Sequence, residues 1–106
     1  IIWSVWHLPL FFLPGVIQYG TSFWLFALEV IGIALVMSWL YNWTDSILIC
    51  VLMHAARNAA ATMGFRVPTE HVGGAIFEGL IWVVLGVLLL SGLSRKAPAV
   101  QRASLM

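Results

Sequence analysis

Four apolar runs divide the chain, separated by short polar stretches. The first, Ile1 to about Leu13, carries Trp3, Trp6, His7 and Pro9 and stops at Pro14-Gly15. The second, from about Ser22 to Leu40, holds one acid, Glu29. Tyr41-Asn42-Trp43-Thr44-Asp45 then reads as a polar turn, with Thr44 or Asp45 placed to cap the next helix. The third run, Ser46 to Met63, ends at Gly64, a favourable residue just past a helix C-terminus. Phe65 to Gly74 contains Arg66, Pro68, Glu70, His71 and two glycines and reads as a loop. The fourth run, Ala75 to Leu93, has Glu78 near its start, and its Gly79 and Gly86 suit close helix approach. This pattern predicts an all-α polytopic transmembrane helix bundle of about four membrane segments, the first truncated. Residues 1–93 form the bundle, and 94–106 form a basic polar tail.

The third run is interrupted by polar chemistry. Leu52-Met53-His54-Ala55-Ala56-Arg57-Asn58-Ala59-Ala60-Ala61 places an imidazole, a guanidinium and a carboxamide at membrane depth. Such groups cost free energy unless they are paired or serve a task. His54 and Asn58, four apart, stack on one helix face. Cys50, His54, Arg57, Asn58 and Ala61 share roughly a third of the circumference. The alanines at 55, 56, 59, 60 and 61 are small enough to let neighbouring backbones approach, so this face is expected to look into the bundle. It can hold a water, polarise a carbonyl or donate to an oxyanion. Interhelical hydrogen bonding alone is the plainer alternative.

His7 gives that face a partner. It lies seven residues before Pro14, whereas His54 and Asn58 lie ten and six before Gly64. With about 1.5 Å per helical residue, all three fall roughly 9–15 Å below one membrane face. Trp3 is one turn before His7, and Pro9 is expected to kink the helix near residue 5 and free a carbonyl. Arg57 cannot shed its proton, so it needs a carboxylate or an aqueous opening. Glu29 and Glu78 are the available acids, and Glu78 is also placed to be a solvated first-turn acid. His71, beside Glu70, is expected in solvent.

Composition sharpens the class. Of 106 residues, 62% are hydrophobic and 8% charged, too few charges to cover a soluble surface. The net charge of +1 carries no clustered basic footprint, so no nucleic-acid partner is expected. The expected partner on composition is membrane lipid. Cys50 is the single cysteine, which excludes an intramolecular disulfide. Arg95, Lys96 and Arg102 favour a cytoplasmic C-terminus, with Arg66 against the rule. The chain opens Ile-Ile-Trp and its first methionine is Met37, so an upstream part is expected to be missing.

Three stretches carry a resemblance. Trp3-Ser4-Val5-Trp6-His7-Leu8-Pro9 resembles the aromatic-x-x-x-His motif of the CPBP intramembrane endopeptidases, the family of the CAAX prenyl proteases and the Abi or bacteriocin-processing proteins. His54-Ala55-Ala56-Arg57-Asn58 resembles their His-x-x-x-Asn motif, and Trp39-Leu40-Tyr41-Asn42-Trp43-Thr44 the turn that precedes it. The likeness covers roughly residues 1–63. The family's Glu-Glu-x-x-x-Arg motif is absent, since Glu29, Glu70 and Glu78 stand singly and downstream. Trp3 stands where Phe is usual, and Arg57 and Trp43 depart from the common pattern.

The resemblance implies an intramembrane endopeptidase of CAAX or bacteriocin type. A glutamate of the missing motif would activate water, and His7 would position that water. His54 and Asn58 would orient the substrate and stabilise the oxyanion. Together with such a glutamate, His7 and His54 are the implied ligands of a divalent metal such as zinc, in a three-ligand site with an open position, and a metal-free glutamate–water mechanism would use the same residues. Without the glutamate, the chain alone is expected to be inactive. Rival expectations are a non-catalytic scaffold or bacteriocin self-immunity protein of the same fold, and a haem protein with His7 and His54 as axial ligands. The expected location is the bacterial cytoplasmic membrane.

Overall fold

A computed structural model describes residues 1–65 and 71–93. Four α-helices and one 3₁₀ turn make up the described residues, with no strand among them. They are α1 (Ile2–Trp6), the 3₁₀ turn (Leu8–Phe12), α2 (Phe23–Thr44), α3 (Ile47–Thr62) and α4 (Val72–Leu93). The all-α expectation holds. The orientation argument from Arg66, Arg95, Lys96 and Arg102, and the basic tail itself, lie outside the described residues.

Two of the four helices are long and apolar enough to cross a membrane: α2 at 22 residues and α4, whose apolar span Val72–Gly92 has 21. The sixteen residues of α3 reach about 24 Å, short of a hydrocarbon core of roughly 30 Å. The first run is not one helix. Pro9 carries no N–H, and α1 ends at Trp6, with the chain continuing as the 3₁₀ turn that has Pro9 in its first positions. A uniform 1.5 Å rise therefore does not apply there, and the equal-depth arithmetic for His7 falls with it.

Helices α2 and α4 run parallel and hold the core, with Val30, Ile33 and Val36 buried. Glycine sets their spacing. A Cβ added to Gly32 would lie 2.5 Å from Trp82 Cβ, and one on Gly86 would lie 2.5 Å from Leu35 Cβ. Gly79 packs on Leu28, at 3.0 Å for an added Cβ. Small residues do this work between membrane helices because lipid tails leave close packing as the main attraction. Hydroxyls inside these apolar helices are satisfied locally, Ser38 by the Ala34 carbonyl and Thr44 by the Leu40 carbonyl, each at 2.8 Å.

The α2–α3 connection corrects the expected turn. Residues 41–44 stay helical, and the reversal is made by Asp45 and Ser46 alone. Asp45 adopts the left-handed region at φ 50°, which Asp tolerates better than most residues, and donates its N–H to the Tyr41 carbonyl at 2.7 Å. The cap of α3 is Ser46, not Thr44 or Asp45: its Oγ accepts from the Ile49 N–H. At the other end Gly64, φ 83°, closes a Schellman motif, with Phe65 N–H donating to Ala60 O at 2.9 Å and Gly64 N–H to Ala61 O at 3.2 Å. The alanines of α3 do not line an interior as expected. Ala55, Ala56 and Ala59 are exposed, and α3 touches α2 mainly through its polar face.

Candidate functional site

The first run supplies His7 at the junction between α1 and the 3₁₀ turn. There the Trp3 carbonyl has lost its helical partner, and His7 Nδ1 donates to it at 2.8 Å. A carbonyl only accepts, so Nδ1 carries the proton and Nε2 of neutral His7 is left as a lone pair. Trp3, His7 and Phe11 stand four apart and lie against one aromatic patch. His7 is 5.3 Å from Phe26 between ring centroids, Phe11 is 5.3 Å from Phe26, and Phe11 is 5.5 Å from Phe23. This patch fastens the broken helix to α2.

Helix α3 brings the other half. Asn58 Nδ2 and His54 Nε2 are 3.1 Å apart, as the i, i+4 spacing requires. Trp3 joins the two halves, with its ring 6.4 Å from His7 and 5.2 Å, edge-on, from His54. The imidazoles are no further apart than those two distances laid end to end. His7, His54 and Asn58 line one cavity of about 470 Å³ together with Trp3, Glu29 and Arg57. An open hollow of about 510 Å³ on the outer side of α1, lined by Ile1, Ile2, Val5, Trp6 and Pro9, offers no titratable side chain.

Arg57 finds carboxylates on both spanning helices. Its Nη2 is paired with Glu29 of α2 and lies 3.8 Å from Glu78 of α4. Its guanidinium carbon is also 5.7 Å from the Trp82 ring centroid, within cation–π range. Glu78 is 7% exposed, which overturns its expected place as a solvated first-turn acid. Helix α4 begins at Val72 rather than Ala75, so Glu78 falls in its second turn and faces α2. His71 is exposed, as expected.

A zinc ion on His7 and His54 needs a third protein ligand. Among the described residues no three His, Cys, Asp or Glu side chains form a metal-holding group. Each imidazole uses one nitrogen on a protein neighbour, His54 Nε2 on Asn58 and His7 Nδ1 on the Trp3 carbonyl, and keeps the other. His7 and His54 by themselves supply two of the three protein ligands that such a site takes. For haem, the imidazoles must face each other across open space, whereas Trp3 stands against both.

The aromatic motif and the His-x-x-x-Asn helix thus meet around one cavity, while residues 39–44 lie at the far end of α2 and do not line it. A family model described as type II CAAX prenyl endopeptidase Rce1-like matches residues 1–60. The chain belongs to this family. The matched span takes in α1, α2 and α3 as far as Ala60, and with them His7, His54 and Asn58. Members are CAAX-type intramembrane endopeptidases, and the apolar α2 and α4 suit that setting. No curated protein and no solved structure matches the chain. Phe26 and the Trp3 bridge were not picked out as site residues from the sequence; the Trp3, His7, Phe11 spacing was the available signal.

Proposed function

We propose that the cavity holds the scissile carbonyl during hydrolysis of a CAAX-type peptide or protein substrate at the membrane. The observation that carries this proposal is the convergence of His7 and the His54–Asn58 pair, from separate elements, on one cavity inside the family-matched span.

Hydrolysis needs a base for the water, donors for the oxyanion and a proton for the leaving amine. His7 Nε2 accepts a hydrogen bond from the attacking water and orients it. Asn58 has two amide N–H groups: one turns to His54 Nε2 and the second donates to the oxyanion. His54 adds a ring N–H from the same helix face. The base is a glutamate of a Glu-Glu-x-x-x-Arg motif, a motif this sequence does not contain. It takes the water proton and passes it to the leaving amine. Glu29 and Glu78 are engaged with Arg57 and do not serve.

The test is hydrolysis of a farnesylated CAAX peptide by the chain in nanodiscs, with and without a co-reconstituted helix bearing Glu-Glu-x-x-x-Arg. The expected result is cleavage only with that helix, abolished by His54→Ala. Full cleavage by residues 1–106 alone would overturn the assignment of the base. Cleavage untouched by His54→Ala would overturn the site. Preference for an unprenylated bacteriocin-type leader peptide would move the substrate class.

A further inference from the structure

We infer that Arg57 is a positioning residue that fixes the Asn58 amide and, through it, places the proton of neutral His54 on Nδ1. This rests on the proposed roles of His54 and Asn58 and on three contacts in series. Glu29, with Glu78 at 3.8 Å, holds the Arg57 guanidinium. Arg57 Nη1 reaches Asn58 Oδ1 at 3.5 Å. Asn58 Nδ2 meets His54 Nε2 at 3.1 Å.

Each contact has one allowed sense. A guanidinium has five N–H donors, no acceptor and no accessible neutral form. The Asn58 atom turned to it must therefore be the carbonyl oxygen. The opposite flip would set an amide N–H₂ against a cation, donor against donor. With Oδ1 committed, the Asn58 group facing His54 is the N–H₂, which donates. His54 Nε2 then accepts, and the ring's one proton sits on Nδ1.

That Nδ1 is buried and has no hydrogen-bond partner among the described residues. A buried N–H without an acceptor is costly. On this reading it is the one ring donor left on a residue that lines the cavity, and a substrate carbonyl or oxyanion that reaches it would satisfy it. The sequence feature behind this is Arg57 within His54-Ala55-Ala56-Arg57-Asn58, together with two acids, on two other helices, that hold its side chain. The Arg57 side chain touches Asn58, not the reacting atoms, so its role is orientation.

The experiment is ¹⁵N NMR of ring-labelled histidine in the 106-residue chain in nanodiscs, with His54 assigned by His54→Gln. The expected result is the Nδ1–H tautomer for neutral His54. Asn58→Asp, whose carboxylate only accepts, is expected to move the proton to Nε2. Arg57→Lys, which keeps a cationic donor, is expected to retain Nδ1–H. Arg57→Met risks misfolding by stranding two acids, so Arg57→Met/Glu29→Gln is the companion variant, and a mixture of tautomers is expected in it. Pure Nδ1–H in the double variant, or Nε2–H in the unsubstituted chain, would overturn the inference. The readout needs no hydrolysis. If His54→Ala leaves cleavage intact while the tautomer still follows Arg57, the proposed function fails and the positioning stands; the converse result separates them the other way.

Discussion

Gly32 of α2 and Trp82 of α4 meet with no space for a side-chain carbon between them. A Cβ at position 32 would fall 2.5 Å from Trp82 Cβ and 2.6 Å from the Trp82 carbonyl carbon and the Val83 nitrogen. Two of these three atoms are backbone, so relief requires the helices to part. Gly32→Ala is expected to destabilise the bundle by about 1–3 kcal/mol, the range of overpacked cores. Gly92→Ala, where an added Cβ meets nothing within 4 Å, is expected to be neutral or slightly stabilising. Thermal unfolding in detergent, followed by circular dichroism, checks the pair. Equal stability of the two variants would show that α2–α4 contact is looser than this.

The same seam carries the ionic cluster, because Gly79 lets the backbone beside Glu78 approach Leu28 and Glu29. Glu29 and Glu78, 8% and 7% exposed, then converge on Arg57. Arg57→Met leaves two buried carboxylates without this cation. Breaking one side of a buried pair costs about 3–5 kcal/mol. Arg57→Met/Glu29→Gln is expected to recover part of that loss, since one stranded charge goes too. Chemical unfolding of the single and double variants measures it. A double variant less stable than Arg57→Met would contradict the pairing.

What the sequence made legible was chemical necessity. A permanent cation in an apolar run demanded an acid, and only Glu29 and Glu78 lay within apolar runs. Pro9 marked the weak place in the first run, although a kink was expected there and not the end of α1 at Trp6, and Gly64 marked the end of α3. What stayed hidden depended on boundaries and on contacts between helices. Placing the start of α4 at Ala75 rather than Val72 put Glu78 in the first turn, where a solvated acid is ordinary, instead of on the buried face. The polar sequence 41–45 concealed that α2 runs on through Thr44. The alanines of α3 suggested an interior, but side-chain size does not say which neighbour is present. His7, His54 and Asn58 were singled out by motif and spacing, and the structure brings them to one cavity; that Trp3 bridges the two histidines is a tertiary fact that no spacing encodes.

Oxyanion donors are felt in turnover more than in binding. In the nanodisc assay with the Glu-Glu-x-x-x-Arg helix supplied, His54→Ala and Asn58→Ala are each expected to lower kcat by about 10²–10³-fold with KM little changed. The double variant is expected to lose much less than the product of the two, because the residues share one hydrogen bond and act as a unit. Steady-state kinetics on a farnesylated peptide decides this. A rise in KM at constant kcat would make the pair a substrate-binding element instead.

Trp3 is the remaining control point, because one ring touches both imidazoles. It stands 6.4 Å from His7 and 5.2 Å from His54, and its own carbonyl accepts from His7 Nδ1. The carbonyl contact survives any substitution that keeps α1 folded, but the ring contacts do not. Trp3→Phe keeps an aromatic edge against His54 and is expected to retain most activity. Trp3→Ala leaves both imidazoles unsupported on that side, and displacements of about 1 Å at a reacting centre cost up to about 10²-fold. The loss is expected in kcat, with stability falling less than in Gly32→Ala, since Trp3 is only half-buried. Parallel kinetics and thermal unfolding of the two variants separate alignment from packing. If Trp3→Ala unfolds the chain as readily as Gly32→Ala, the ring is a packing element; if it halves nothing but turnover, it is the spacer that keeps His7 and His54 in register.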